Sequence, residues 1–128
     1  MSKEMIRTDR APEAIGPYSQ GIKLDKLGLV FVSGQIPADP KTGDLVPGGI
    51  EEKTKAVLEN VKAILEEAGS SLDKVVKTTV FLKSMDDFPR MNQVYKSFFE
   101  SDPPARSTIE VKKLPKDVDI EIEAIAFI

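Results

Sequence analysis

The segment Val75-Val76-Lys77-Thr78-Thr79-Val80-Phe81-Leu82 carries apolar or β-branched side chains on both of its alternating sides. Successive side chains of a strand leave on opposite faces, so a strand that is apolar on both needs cover on both. Leu29 to Gln35 reads the same way, with Leu29 and Phe31 alternating with Val30 and Val32. Helical periodicity, however, occurs in only two segments. Val57, Val61, Ile64, Leu65 and Ala68 recur at helical spacing with Gly69 as a stop, which predicts a helix over Glu51 to Ala68. Ser84-Met85-Asp86-Asp87 reads as a capping box opening a second helix, with Met91, Val94, Tyr95, Phe98 and Phe99 on one stripe and Asp102-Pro103-Pro104 as its end. Two helices cover one face of a sheet, so the other face is expected to meet another subunit.

Further strands are predicted over Tyr18 to Leu24, with a short one over Met5 to Thr8, and over Ala105 to Val111 and Val118 to Phe127. The last two are joined by Lys112 to Asp117 and read as a hairpin. The order predicts an α+β fold with a mixed β-sheet and two helices packed on one face. Ile36 to Gly49, rich in Pro and Gly, is too long for a plain connection and is a candidate functional loop.

A chain of 128 residues, 41% hydrophobic and 30% charged, has the size and composition of one globular domain spanning 1–128. No apolar run has the length of a membrane span or of a secretory leader, so a cytoplasmic protein without membrane contact is expected. A net charge of −3 and a pI near 5.1 argue against nucleic acid as the partner. The chain has no His and no Cys, which excludes an imidazole base, a thiol nucleophile and the usual zinc ligands. Proton transfer is left to carboxylates, tyrosine, lysine and water.

Alternation over Ala105 to Val111 sets Ile109 and Val111 against Arg106, Thr108 and Glu110; in the final strand it sets Ile120 and Ile122 against Asp119, Glu121 and Glu123. If the apolar sides face the helices, Arg106, Thr108 and Glu121 share the opposite side. That places a guanidinium and a carboxylate at a subunit boundary, where alternation alone favours an exposed or interfacial salt bridge over catalysis. Tyr18 is equally a half-buried strand aromatic, Ser33 a strand-end hydroxyl bonding the turn, and Asn92 a solvated or capping side chain. Gly43, Gly48 and Gly49 lack the spacing and the lysine of a phosphate loop.

Several motifs lie in order along the chain: Ala14-Ile15-Gly16-Pro17-Tyr18-Ser19-Gln20-Gly21, Ser33-Gly34-Gln35-Ile36-Pro37, Val76 to Leu82, Pro104-Ala105-Arg106-Ser107, and Leu114-Pro115-Lys116-Asp117 through Ile120-Glu121-Ile122-Glu123-Ala124. Together they closely resemble the RidA subgroup of the Rid (YjgF) family. The resemblance implies a chorismate-mutase-like α+β fold, a homotrimer with clefts between subunits, and no cofactor or metal. It also implies hydrolysis of 2-iminopropanoate and 2-iminobutanoate to 2-oxo acids and ammonia. Carried over motif by motif, Arg106 binds the substrate carboxylate and Glu121 positions or activates water, while Tyr18, Ser33 and Asn92 line the cleft and Gly34 contributes backbone. Thr108 stands where many members have cysteine, so a thiol role is absent and a backbone amide role remains. Members have also been described as ribonucleases, translation inhibitors or chaperone-like proteins. The alternatives are therefore a metabolite-binding or regulatory trimer and an RNA-directed protein.

Overall fold

The computed structural model describes residues 2–128. Its single sheet has six strands: β1 (Lys3–Ile6), β2 (Gly21–Leu24), β3 (Leu29–Gln35), β4 (Val75–Leu82), β5 (Ala105–Glu110) and β6 (Ile120–Phe127). Helix α1 (Ile50–Glu67) follows β3, and α2 (Phe88–Phe98) lies between β4 and β5. The order across the sheet is β1-β2-β3-β6-β4-β5, with β4 and β5 parallel and every other pair antiparallel. Both helices lie on one face, as the α+β reading expects.

Local chemistry explains the helix ends. At the start of α1 the Glu52 carboxylate accepts the Gly49 N–H at 2.8 Å, satisfying a donor that has no partner inside the helix. At its end Gly69 adopts φ +84, and the Ser70 N–H closes on the Leu65 carbonyl at 2.8 Å. Ser84 does act as a cap, but of the tight turn Met85–Asp87, where its Oγ accepts the Asp86 N–H at 3.2 Å. The regular helix begins only at Phe88.

The apolar core lies between the sheet and the helices. Val30 and Val32 of β3, Val80 and Leu82 of β4, and Ile120, Ile122, Ala124 and Ala126 of β6 all point into it, against Val57, Leu58, Val61, Ile64 and Leu65 of α1. On the other face Ile22, Phe31, Phe81, Ile109, Ile125 and Phe127 alternate with these buried positions, and Phe31, Ile109 and Phe127 are exposed. The uncovered face expected from alternation is present, and its apolar side chains are interspersed with Lys77, Thr79, Ser107, Glu121 and Glu123.

Two expectations are overturned. β5 and β6 are not a hairpin: β5 follows a helical crossover and pairs parallel with β4 at the edge, while β6 inserts between β3 and β4. Composition explains the choice. β6 buries Ile120, Ile122, Ala124 and Ala126 in the middle of the sheet, whereas the polar sequence Arg106-Ser107-Thr108-Ile109-Glu110 suits an edge. The facing of β5 is also reversed. Arg106 and Thr108 sit beside Thr78 and buried Val80 of β4, on the helix side, and Ile109 points to the open face. Apolar residues normally mark the side turned inward, but here the open face is apolar as well, so Ile109 has a suitable place there.

Between β1 and β2 the chain runs without regular structure, held by buried Gln20. Its Oε1 accepts the Thr8 N–H at 2.7 Å, and its Nε2 donates to the carbonyls of Thr8, Ala11 and Pro12 at 3.0, 3.3 and 2.8 Å. The loop 36–49 is fixed in the same manner by Asn60 of α1, whose Nδ2 reaches the carbonyls of Ile36 and Ala38 at 3.2 and 3.1 Å. Among the described residues no helix is long and apolar enough to cross a membrane. Gln20→Ala strands these backbone groups, so it is expected to cost about 1–3 kcal/mol of stability. Denaturant unfolding measures that loss, and hydrogen exchange should quicken over residues 8–19. Unchanged exchange there would contradict the anchoring role.

Candidate active site

The sequence-predicted residues fall into two groups. The first lines a cavity of about 710 Å³ whose walls include Tyr18, Ser33, Gly34, Lys116, Glu121 and part of the loop 36–49. A β-bulge builds its floor. Val32 pairs with Ala124 and Gln35 with Ile122, so β3 spends three steps where β6 spends two. The extra residue brings Ser33 and Gly34 over the carboxyl group of Glu121, which leaves β6 on the open face.

Gly34 is there for space. A Cβ at this position would stand 2.1 Å from Glu121 Oε2 and 2.8 Å from its carboxyl carbon, so any side chain displaces the carboxylate. Ser33 donates its hydroxyl to the Ser19 carbonyl at 2.5 Å, tying β3 to the segment that carries Tyr18. Tyr18 itself is 53% exposed at the rim. Glu121 is half-buried, and desolvation holds its pKa above the ordinary 4.5, with the neighbouring charge of Glu123 pushing the same way. A carboxylate whose pKa is raised in this way is a stronger base than an exposed one.

The second group lies on the other side of the sheet, at its edge. Arg106 of β5 donates from Nη1 to Asn92 Oδ1 at 2.7 Å, and its guanidinium carbon lies 4.6 Å from the centre of the Tyr95 ring and 5.4 Å from that of Phe88. Phe88, Asn92 and Tyr95 occupy positions i, i+4 and i+7 of α2, one helical stripe. Two aromatic faces and an amide therefore orient the cation. Among the described residues it forms no ion pair, which leaves the remaining N–H donors free for an anion. Thr108 is two residues along the same strand face, and its Oγ1 is enclosed without a hydrogen-bond partner.

Arg106 and Glu121 are thus not brought together within one chain. They leave opposite faces of the sheet and are separated by β4. This corrects the expectation that Arg106, Thr108 and Glu121 share one side, and its reason is the reversed facing of β5. Phe88, Tyr95, Gln20 and Asn60 were not singled out as site residues. The helical spacing of Phe88, Asn92 and Tyr95 was the available signal, but Tyr95 read only as part of an apolar stripe. Among the described residues no cluster of three or more acidic side chains is placed to hold a metal ion.

The sequence profile of the family described as Endoribonuclease L-PSP matches residues 8–128. A RutC family protein of Pyrococcus abyssi is 58% identical over 127 residues, covering 99% of this chain and 98% of the relative. The mouse 2-iminobutanoate/2-iminopropanoate deaminase is 46% identical over 124 residues, 97% of this chain and 90% of the relative. The crystal structure of Escherichia coli TdcF with bound serine superposes with a TM-score of 0.92 at 48% identity, covering 98% of each chain.

Replacing Glu123 by Gln removes the smaller of the two influences on Glu121, so the Glu121 pKa is expected to fall while staying above its ordinary value. An NMR pH titration of the side-chain carboxyl carbon measures it, and a rise would contradict the arrangement. The native state holds this proton more tightly than the unfolded chain does. Stability from Glu121 is therefore present below the ordinary value of 4.5 and lost as pH rises through the raised one. Glu121→Gln should then be no less stable than the wild type at neutral pH.

Proposed function

The chain belongs to the Rid (YjgF) family, whose profile carries the description Endoribonuclease L-PSP, and from that premise we propose that it hydrolyses reactive 2-imino acids to 2-oxo acids and ammonia. The observation that carries the reading is the pairing of an oriented, unneutralised Arg106 with a partly desolvated Glu121, in a chain that has neither His nor Cys. The substrate class is that of 2-iminopropanoate and 2-iminobutanoate. Relatives support the choice: the mouse protein is named for that activity, and TdcF holds serine, a small amino acid.

The two groups divide the work. Arg106 grips the carboxylate through parallel charge-assisted hydrogen bonds, with Asn92 and the aromatic rings fixing the plane of its fork. Glu121 accepts a proton from water as the oxygen attacks C2 of the protonated imine, giving a carbinolamine, and passes that proton to the nitrogen. As the C–N bond breaks, the carbinol hydroxyl gives its proton to Glu121, which hands it to the departing ammonia. One water is consumed, and one 2-oxo acid and one ammonium ion leave. Tyr18 and Ser33 line the path, Gly34 leaves room for the carboxylate, and Thr108 lies along the Arg106 strand, where its backbone N–H is a candidate contact for the substrate. No metal or cofactor takes part in these steps.

Because the two groups occupy opposite faces of one sheet, the complete site requires two chains. The bare face of Phe31, Phe81, Ile109, Ile125 and Phe127 supplies the contact, since burying each such side chain is worth roughly 1.5–3 kcal/mol. Joining an edge group of one chain to a face group of the next is a head-to-tail contact, which closes into a ring when the rotation between subunits is a whole fraction of a turn. The proposed assembly is a homotrimer with three shared clefts.

The reading of the family as RNA-cleaving is disfavoured by the net charge of −3 and by a cavity lining in which Glu13, Glu121 and Glu123 outnumber Lys41 and Lys116. A metabolite-binding regulator is separated from a deaminase by turnover. The wild type should accelerate ammonia release from freshly generated 2-iminobutanoate, and no acceleration would refute the reading. Arg106→Lys should lose about 1.5–3 kcal/mol of transition-state binding, roughly ten- to a hundredfold in kcat/KM, because an ammonium cannot copy the fork. Glu121→Gln should bind 2-oxobutanoate nearly as the wild type does but turn over about a hundredfold more slowly. Unchanged turnover would remove Glu121 from the chemistry.

A further inference from the structure

Thr78 and Tyr95 place two buried hydroxyl groups where helix α2 packs on the sheet, beneath the Arg106 guanidinium. Thr78 Oγ1 and the Tyr95 hydroxyl lie 2.7 Å apart, and the two residues are only 1% and 4% exposed. Thr78 is the register partner of Arg106 on the adjacent strand, while the next positions on the same face of β4 are Val80 and Leu82. A threonine there is not required for packing, because valine has nearly its shape. Replacing both members of a buried hydrogen-bonded pair by apolar groups of the same shape is close to neutral for stability. The pair therefore calls for an explanation other than stability.

We propose that Tyr95, locked by Thr78, is a positioning residue for Arg106: the hydroxyl pair fixes the ring on which the substrate-binding guanidinium lies. Three contacts determine where that ring sits. Thr78 holds its hydroxyl end, Phe99 packs on it with ring centres 4.7 Å apart at 42°, and Arg106 stacks on it at 4.6 Å. Without the hydroxyl contact the ring retains its volume but loses the directional bond that sets its tilt and depth. The guanidinium then stacks on a ring held by packing alone, with Asn92 and the more distant Phe88 as its other contacts. Burial raises the pKa of Tyr95, so the phenol stays neutral and leaves the charge of Arg106 uncancelled for a ligand carboxylate.

This inference rests on the reading of Arg106 as the carboxylate-binding group, and the test separates the two. The variant is Thr78→Val combined with Tyr95→Phe, which removes both hydroxyls together and leaves no buried group unpaired. Its melting temperature should stay close to that of the wild type. The Arg106 Nε–H signal, followed by NMR without any ligand, should lose order and exchange faster with water. Binding of 2-oxobutanoate should weaken about three- to tenfold, with KM for the imine rising in proportion and kcat within about twofold, since Glu121 is untouched. Restoring Tyr95 alone, which leaves its hydroxyl without Thr78, should not restore affinity fully. An Arg106 signal as ordered as in the wild type, or unchanged 2-oxobutanoate affinity, would overturn the proposal. A less ordered Arg106 in a protein whose wild type binds no 2-oxo acid would uphold the positioning and refute the function assigned to Arg106.

Discussion

Two helices on one face of a six-stranded sheet leave Ile22, Phe31, Phe81, Ile109, Ile125 and Phe127 without cover inside the chain. That imbalance governs the rest of the structure. The covered face forms the core, and the bare face mixes apolar side chains with Lys77, Thr79, Glu121 and Glu123, so in the proposed assembly association would continue folding by covering it. The bulge in β3 opens onto that bare face beneath Glu121, whereas the edge strand β5 carries Arg106 on the helix side, so the two candidate groups are set apart by the sheet itself.

Separating Arg106 from Glu121 within the chain has a chemical consequence. Were the two in contact, the guanidinium would lower the pKa of the carboxyl group and spend on it the N–H donors needed by a substrate. On opposite faces each keeps its own environment. Asn92 and aromatic rings surround the cation, whereas partial burial beside Glu123 surrounds the acid. In the proposed cleft the substrate stands between the two, its carboxylate toward one chain and its imine carbon toward the other. The anchors Gln20 and Asn60 hold the loops that shape the acid's side of that cleft.

Much of this was legible in the residues. Both helices, β3 and β4 follow directly from periodicity, and the doubly apolar strands announced the bare face. Pairing was not legible, because alternation within β5 and β6 says which residues share a side but not which strand lies alongside. The parallel crossover through α2 decided that. The facing of β5 misled for a related reason: on a sheet whose two faces are both apolar, Ile109 no longer marks the inside. Tyr95 was placed correctly on the buried stripe of α2, but its contact with Arg106 depends on strand order and was invisible until β5 was set beside β4.

The central claim is that one cleft takes Arg106 from one chain and Glu121 from another, and subunit mixing tests it most directly. Arg106→Ala and Glu121→Gln are each prepared as folded, inactive protein, then unfolded together in equal amounts and reassembled. If the cleft is shared head to tail, roughly one cleft in four receives both intact groups, and about a quarter of wild-type imine hydrolysis should return. Mixed assemblies that are well folded yet as inactive as either parent would place the whole site within one chain and contradict the account.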